Sequence, residues 1–257
     1  MSTAPTVVVH HDADLLAEAV AARLITRLVD AQATRGHASV VLTGGRVGIA
    51  TLRAVAASPA CPAVDWSALD VWWGDERFLE PGDPERNETQ ARAALLDHVD
   101  VDESRVHPMP AAGTDSPEAG AERYAAQVTE YLRAIEHTGA PAFDVLLLGV
   151  GPDGHVASLF PEQPALYDDR PVVAVHGAPK PPPTRISLTL PTIALADEVW
   201  LVVAGEDKAP AVRMALGGAG EVQIPAAGAR GRRATRWLLD RAAAAEIPAD
   251  LPRPASP

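Results

Sequence analysis

The sequence predicts an α/β fold in which a mostly parallel, doubly wound β-sheet is flanked by helices. Short β-branched or apolar runs alternate with longer amphipathic segments along the chain, which is the pattern of β–α–β units. One run, Val145–Leu148, is apolar without a break, as expected of a central parallel strand that helices cover on both faces. Glycine-rich turns follow two of the runs. We therefore expect a single Rossmann-like domain over residues 1–257 that ends in a frayed tail at about 248–257.

The first half of the chain contains three predicted strand–helix pairs. In the first of these helices, apolar side chains that include Leu16, Val20, Leu24 and Leu28 recur at helical spacing. The predicted strands of this half are Thr6–His10, Ser39–Thr43 and Leu69–Trp73. The predicted helices are Ala13–Ala33, Val47–Ala57 and Glu85–His98.

The second half continues the alternation. Its strongest strand, Phe143–Gly149, follows a long amphipathic helix at Pro117–His137. The other predicted strands are Arg105–His107, Pro171–Val175, Arg185–Leu190 and Val199–Val203. Two further helices are predicted at Asp207–Leu216 and Arg233–Ala244.

Composition and charge exclude several classes of function. The 257 residues include a single cysteine, Cys61, which excludes an intrachain disulfide framework. Acidic residues outnumber Lys and Arg by 34 to 22, giving a net charge of −12 and arguing against a nucleic-acid partner. We see neither a membrane-spanning run nor a signal peptide, and expect a cytoplasmic protein without a membrane partner. Acidic residues do not accompany the histidines at metal-ligand spacings, so we expect neither a metal nor another cofactor.

Ligands of open parallel sheets bind beyond the carboxyl ends of the strands, so the residues that follow each strand are the candidate site. Gly44 and Gly45 open a helix after the second strand, where free backbone N–H groups favour an anion such as phosphate. The alternative is a plain tight turn. After the third strand come Asp75 and Arg77, whose guanidinium suits bidentate contact with a phosphate or carboxylate. The alternative there is a solvated charge cluster.

The turn after the strand Phe143–Gly149 carries an imidazole, that of His155. Gly149, Gly151 and Gly154 match the G-x-G-x-x-G pattern of dinucleotide sites. The match lies in mid-chain, contains Pro152 and lacks the acidic residue that ends a following strand, so we expect no dinucleotide site. Histidine accepts a proton near neutral pH and is a natural general base for activating water. The alternative is a histidine that packs under the loop.

A proline-rich loop, Ala178–Pro183, precedes another predicted strand and brings two cations with it, Lys180 and Arg185. A stiff loop loses little entropy when it holds an anion. The alternative is a rigid connector with incidental charges. Two glycine-rich turns, three cations and one histidine at the loops of one sheet suit a phosphorylated small molecule acted on by a base.

These segments, taken in order, resemble the 6-phosphogluconolactonase family. The resemblance is carried by Leu42–Gly45, Trp73–Arg77, Gly149–Pro161 and Pro179–Thr189, and it extends to Trp237–Asp240 near the end of the chain. It implies hydrolysis of 6-phosphoglucono-1,5-lactone, a step of the oxidative pentose phosphate pathway. The implied partner is thus a phosphorylated sugar lactone, bound by a monomer or small homo-oligomer.

The resemblance also implies roles for the side chains. His155 is the general base that activates water, and Asp153 or Asp75 orients it. Backbone N–H groups of the glycine turns, including that of Gly154, are candidates to stabilise the charge on the carbonyl oxygen. The 6-phosphate is held by the cations Arg77, Lys180 and Arg185 and by the turn Gly44–Gly45. Arg46 departs from the small or hydroxylated residue that the family often has after the glycine pair, and either contacts phosphate or faces solvent.

Glucosamine-6-phosphate deaminases share the Asp-Gly-His turn and are the nearest alternative. Their pattern continues after the histidine with a phenylalanine, an asparagine and a glutamate before the proline, and their ring-opening chemistry relies on that glutamate. Here Ser158, Leu159 and Phe160 precede Pro161. A phenylalanine cannot transfer a proton, so the sequence favours the lactonase.

Two further candidate functions belong to different classes. A non-catalytic sensor of sugar phosphates could share the pocket, but the presence of His155 argues against it. A nicotinamide-dependent dehydrogenase is disfavoured by the context of the glycine motif.

Overall fold

A computed structural model of the chain describes residues 4–113 and 115–247, so the tail expected at about 248–257 lies outside the described residues. The strands are β1 (Thr6–His10), β2 (Ala38–Leu42), β3 (Leu69–Trp73), β4 (Asp75–Arg77), β5 (Phe143–Leu148), β6 (Val172–Val175), β7 (Arg185–Leu188), β8 (Ala196–Val203) and β9 (Ala234–Asp240). The helices are α1 (Ala13–Arg35), α2 (Gly45–Ala57), α3 (Asn87–Ala94), α4 (Pro117–Ile135), α5 (Leu190–Ile193) and α6 (Ala209–Leu216).

Six parallel strands form the main sheet, in the order β1-β9-β8-β5-β2-β3. Every residue of β2, β3 and β5 is buried, and each strand is apolar except for one polar residue, Ser39, Asp70 or Asp144. Helices flank this sheet, and α1 starts where Asp12 accepts a hydrogen bond from the backbone N–H of Leu15 at 2.9 Å. The predicted α/β class with a mostly parallel sheet is confirmed. None of the helices in the described ranges is long and apolar enough to cross a bilayer.

A second, three-stranded antiparallel sheet has the order β4-β7-β6. Two of its strands fall within the predicted runs Pro171–Val175 and Arg185–Leu190, and the third is formed by the charged segment that follows β3. Gly74 is the junction between the two sheets. Its N–H donates to the carbonyl of Leu42 in the main sheet at 3.0 Å, and its carbonyl accepts from the N–H of Leu188 at 2.9 Å. The segment after β3 therefore lies beside β7, more than 100 residues later in the sequence.

The helix predicted at Arg233–Ala244 is wrong. Residues Ala234–Asp240 form β9, which pairs in parallel with β1 on one side and β8 on the other. The leucine and alanine content of the segment favours a helix locally. Pairing with two neighbours fills the gap between β1 and β8 and buries Trp237, Leu238 and Leu239, and this tertiary gain outweighs the local preference.

Two other predicted elements differ in extent. The helix predicted at Glu85–His98 is α3 over Asn87–Ala94, followed by a 3₁₀ turn at Leu96–His98. The strand predicted at Arg105–His107 reduces to one parallel bridge, between Val106 and Val71 at the edge of β3.

Buried charges lie at the amino ends of the parallel strands, opposite the edge where ligands are expected. The carboxylate of Asp144, the second residue of β5, accepts from the N–H of Ser39 at 3.0 Å. It also accepts from the guanidinium groups of Arg27 at 3.3 Å and Arg35 at 2.5 Å. Because the Asp144 side chain is only 2% exposed, these contacts compensate for its desolvation. The cluster ties helix α1 to strands β2 and β5.

Replacing Asp144 by alanine is expected to lower the free energy of unfolding by about 3–5 kcal/mol, because the buried Ser39 N–H and Arg35 lose their anionic partner. Denaturation in urea measures the change. Asp97, which is exposed, provides the control. Its replacement by alanine is expected to change the free energy of unfolding by no more than about 0.5 kcal/mol. Equal effects of the two substitutions would contradict the interpretation.

Candidate active site

A cleft with a volume of about 600 Å³ opens at the carboxyl ends of the parallel strands. Residues that directly follow strands line it, including Thr43 after β2, Gly149 after β5 and Ala204 after β8. Eight of the residues predicted from the sequence line this cleft: Gly44, Gly45, Arg46, Asp75, Arg77, His155, Lys180 and Arg185. Asp153 and Gly154 are not among the described residues that line it. The residues that the strand-end rule selected are therefore brought together at one cleft.

The imidazole of His155 is held by Asp153. Its Nδ1 lies 2.5 Å from Oδ1 of Asp153, and because a carboxylate only accepts, Nδ1 carries the hydrogen. Burial opposes ionisation of Asp153, but the hydrogen bond and charge of His155 outweigh it and lower the pKa of Asp153. The ring packs over Gly151, where an added Cβ would lie 2.1 Å from Nδ1. Nε2 is the nitrogen that remains available to the cleft.

Phe160 forms the apolar wall behind this histidine. The ring centroids of Phe160 and His155 lie 4.5 Å apart. The Arg185 guanidinium lies over the face of the Phe160 ring, 5.8 Å from the Phe160 centroid. Phe160 is 2% exposed. It therefore fixes the positions of the imidazole and of one cation of the cleft, without any group that transfers a proton.

Asp75 has partners other than His155. Its Oδ2 accepts from the buried hydroxyl of Ser158 at 2.7 Å, and the Arg185 Nη1 lies 3.9 Å from the same oxygen. Nδ2 of Asn87 donates to the Asp75 carbonyl at 2.8 Å. Of the two carboxylates predicted to orient the histidine, Asp153 is the one that contacts it. Asp75 instead anchors Arg185 and Asn87.

Arg185 ties the proline-rich loop to the second sheet. Its guanidinium donates to the carbonyls of Lys180 at 3.0 Å, Pro181 at 3.3 Å and Pro182 at 3.2 Å. Burial lowers the pKa of Arg185, while the charge of Asp75 acts in the opposite direction. These contacts leave Lys180 exposed on the rim of the cleft.

The N-terminus of α2 offers an anion site. Gly44 is its N-cap residue and supplies no side-chain hydrogen bond to the first turn, so the backbone N–H groups there remain available to a ligand. Gly45 has a φ of +79°, a conformation that glycine adopts without strain. Arg46 is exposed at the start of the helix and lines the cleft.

Sequence reasoning missed several polar residues in and behind the wall of the cleft, among them Asp14 at the start of α1. Lys208 lines the cleft and contacts Asp207. It follows the end of β8, so the strand-end rule could have found it. Asn87 lies at the start of α3, far from any strand end in sequence, and Ser158 is completely buried. No local signal marks either of these two as part of a site.

Glu76 holds α3 against the cleft from the side opposite to Asp75. Its carboxylate accepts from the N–H groups of Arg77 at 2.8 Å, Asn87 at 2.7 Å and Glu88 at 2.9 Å. The Glu76 side chain is 1% exposed, and burial raises its pKa to about 7 although Arg86 and these N–H groups act to lower it. Glu76 is therefore the N-terminal anchor of α3.

In the described ranges, no group of three or more His, Cys, Asp or Glu side chains has the arrangement needed to hold a metal ion. Five cationic side chains line the cleft: Arg46, Arg77, Lys180, Arg185 and Lys208. The arrangement suits an anionic ligand placed beside a histidine–aspartate pair.

Fold and site together define an α/β protein with a cation-lined cleft at the carboxyl ends of its parallel strands and a histidine–aspartate pair at that cleft. Residues 11–237 match the family model described as glucosamine-6-phosphate isomerases/6-phosphogluconolactonase, and the chain belongs to this family. The predicted family resemblance is confirmed.

Two bacterial 6-phosphogluconolactonases match all or nearly all of the chain. It is 62% identical to a 6-phosphogluconolactonase of Streptomyces coelicolor, with 100% of both chains covered. It is 49% identical to one of Mycobacterium tuberculosis, over 92% of this chain and 96% of the relative. A crystal structure of 6-phosphogluconolactonase from Leishmania guyanensis is similar with a TM-score of 0.79 at 27% identity, covering 96% of this chain and 100% of that one.

The buried Glu76 predicts a pH dependence of stability. Its folded-state pKa of about 7 lies above the ordinary value of 4.5, so the protonated form favours folding. Its stabilising contribution is complete below about pH 4.5 and is lost as the pH rises through about 7. Relative to Glu76→Gln, the wild-type protein is therefore expected to lose unfolding free energy between about pH 5 and pH 8. Urea denaturation of both proteins at the two pH values measures it, and a difference that stays constant with pH would contradict the expectation.

Proposed function

We propose that the chain hydrolyses 6-phosphoglucono-1,5-lactone to 6-phosphogluconate, with His155 as the general base. The observation that carries the proposal is the 2.5 Å contact between His155 and Asp153 at a cleft lined by five cations. The names of the relatives supply the substrate class. A phosphorylated lactone matches the cleft because it combines an anionic end with an electrophilic carbonyl.

The proposed reaction uses one water molecule. Nε2 of His155 accepts a proton from the water as its oxygen attacks the lactone carbonyl carbon, and Asp153 stabilises the imidazolium that forms. The tetrahedral intermediate collapses with cleavage of the bond to the ring oxygen, which takes the proton back from His155. These two steps give the carboxylic acid and the C5 hydroxyl, and the acid then releases a proton to solvent to give 6-phosphogluconate. A positioned general base contributes about 10²–10⁴-fold to the rate.

The proposed phosphate site is the N-terminus of α2 and the cations around it. Gly44 and Gly45 present backbone N–H groups, and the helix dipole favours a negative charge there. Arg77, Lys180 and Arg185 were predicted to share this role, and Arg46 and Lys208 line the same cleft. Holding a phosphate far from the reacting carbon directs binding energy into orienting the carbonyl toward His155.

The position of Phe160 separates this proposal from a deaminase reaction. The ring packs on His155, at the place where the deaminase pattern has a glutamate. A site with a hydrocarbon ring at that place lacks the acid that ring opening needs. The lactone route requires only a base, which the cleft supplies.

The function is tested by generating the lactone in situ and following 6-phosphogluconate through a coupled dehydrogenase. Spontaneous hydrolysis is measured in parallel and subtracted. A wild-type rate above the spontaneous one is the expected result. Folded protein that does not accelerate hydrolysis would overturn the proposal, and release of ammonia from glucosamine 6-phosphate would replace it with the deaminase reaction.

His155→Ala is expected to lower kcat by about 10²–10⁴-fold and to change KM much less, because the base acts in the chemical step. Asp153→Asn is expected to lower kcat as well, since an amide can no longer stabilise the imidazolium. His176, an exposed histidine paired with Glu118 and absent from the cleft lining, is the matched control. Its replacement by alanine is expected to leave kcat unchanged. Unchanged turnover in His155→Ala would contradict the assignment of His155 as the general base.

Lys180→Ala is expected to raise KM for the phosphorylated lactone several-fold, because the variant loses a charge that contacts the phosphate. An unphosphorylated lactone should be little affected. Initial rates on both substrates measure the difference. Arg170→Ala, which removes an exposed cation outside the cleft lining, serves as control. Equal losses on the two lactones would reject the phosphate role of Lys180.

A further inference from the structure

Asn87 is a polar side chain that lines the cleft and has no place in the proposed mechanism. It is the first residue of α3 and is 5% exposed. Its backbone N–H donates to Glu76 at 2.7 Å, so its position is set by the buried anchor of the helix. The position of Asn87 in the cleft wall is thus fixed by its backbone.

The orientation of the Asn87 carboxamide is fixed by its neighbours. Nδ2 donates to the backbone carbonyl of Asp75 at 2.8 Å and lies 3.4 Å from the Asp75 Oδ1. Both partners are acceptors, so the nitrogen faces Asp75 and the oxygen faces the other way. The alternative rotamer would place two oxygens against each other.

The carboxamide oxygen lies over Gly44. A Cβ on Gly44 would be 1.9 Å from the Asn87 Oδ1, so glycine at this position leaves the space that the oxygen occupies. Within residues 4–113 and 115–247, no donor forms a hydrogen bond with this oxygen. A strong acceptor on the cleft wall is therefore available to a ligand.

The chemistry of an amide oxygen selects its partner. It accepts hydrogen bonds and repels the oxygens of a phosphate, so the phosphate lies on the N–H and cationic groups instead. The groups of a sugar lactone that donate are its ring hydroxyls. A site that pairs a buried acceptor with a hydroxyl discriminates strongly against analogues that lack the hydroxyl, because the acceptor is then desolvated without a partner.

We infer that Asn87 is a specificity-determining residue whose Oδ1 accepts a hydrogen bond from one ring hydroxyl of the substrate. The inference rests on the proposed function and adds a determinant to it. Gly44 and Asp75 hold the carboxamide in place, the first by lacking a side chain and the second by accepting from Nδ2.

The test compares wild type, Asn87→Ala and Gln90→Ala on four substrates. These are 6-phosphogluconolactone and its 2-deoxy, 3-deoxy and 4-deoxy analogues. Gln90 is an amide residue of the same helix that lies outside the cleft lining, and its side chain donates to the carbonyl of Pro84. Asn87→Ala is expected to lower kcat/KM on the full substrate about tenfold, the effect of one hydrogen bond. On one deoxy substrate it should have no effect, and Gln90→Ala should match wild type throughout.

The dependence on a single hydroxyl separates recognition from a purely structural role. A loss of the same factor on all four substrates would overturn the inference, since it would mean that Asn87 only supports Asp75. Absence of any loss would overturn it too. Asn87→Ser, which keeps a short side chain able to donate to Asp75, should show a smaller loss with the same hydroxyl dependence. A wild-type protein that hydrolyses no lactone would instead refute the proposed function, and the inference would fall with it.

Discussion

The site depends on the point where the chain leaves the main sheet, at Gly74. There the backbone bonds to β2 through Leu42 and to β7 through Leu188, so the end of one sheet becomes the start of the other. The next residues are thereby paired with β7, and Asp75 comes within 3.9 Å of Arg185. This junction is what places the carboxylate of Asp75 and the guanidinium of Arg185 side by side. The parallel sheet supplies the cleft, and the junction brings a second wall to it.

Two carboxylates serve two different purposes because their surroundings differ. Asp153 lies in the glycine turn after β5, is partly exposed and contacts His155, so it fixes which imidazole nitrogen carries the hydrogen. Asp75 is buried; its carboxylate accepts from Ser158 and its backbone carbonyl accepts from Asn87, so it holds the wall in place. The ring of Phe160 packs against His155, with 4.5 Å between the two ring centroids.

Local patterns predicted what lies on one strand or at its end. The run Val145–Leu148 identified the central strand, and the turn after it located His155. The second sheet was missed because Asp75 pairs with Ser187, and no local pattern records contacts between segments so distant in sequence. Strand β9 was missed for a similar reason, since its place between β1 and β8 decides its conformation. No sequence pattern marks Asn87 as a cleft residue, because its place in the cleft depends on the packing of α3 beside Gly44.

Charge is divided between the two edges of the main sheet. At the amino edge, Arg27 and Arg35 both pair with the buried Asp144, and Arg27 also pairs with Asp197 and Glu198. At the carboxyl edge, exposed cations such as Lys180 and Arg46 line the cleft beside helix N–H groups. A chain with a net charge of −12 thus presents a locally positive cleft to an anion. Since the acidic surface elsewhere repels an anion, the field favours its approach to the carboxyl edge of the sheet. The negative net charge of the chain therefore does not predict the charge of its ligand. The local distribution of paired and unpaired charges is the better guide.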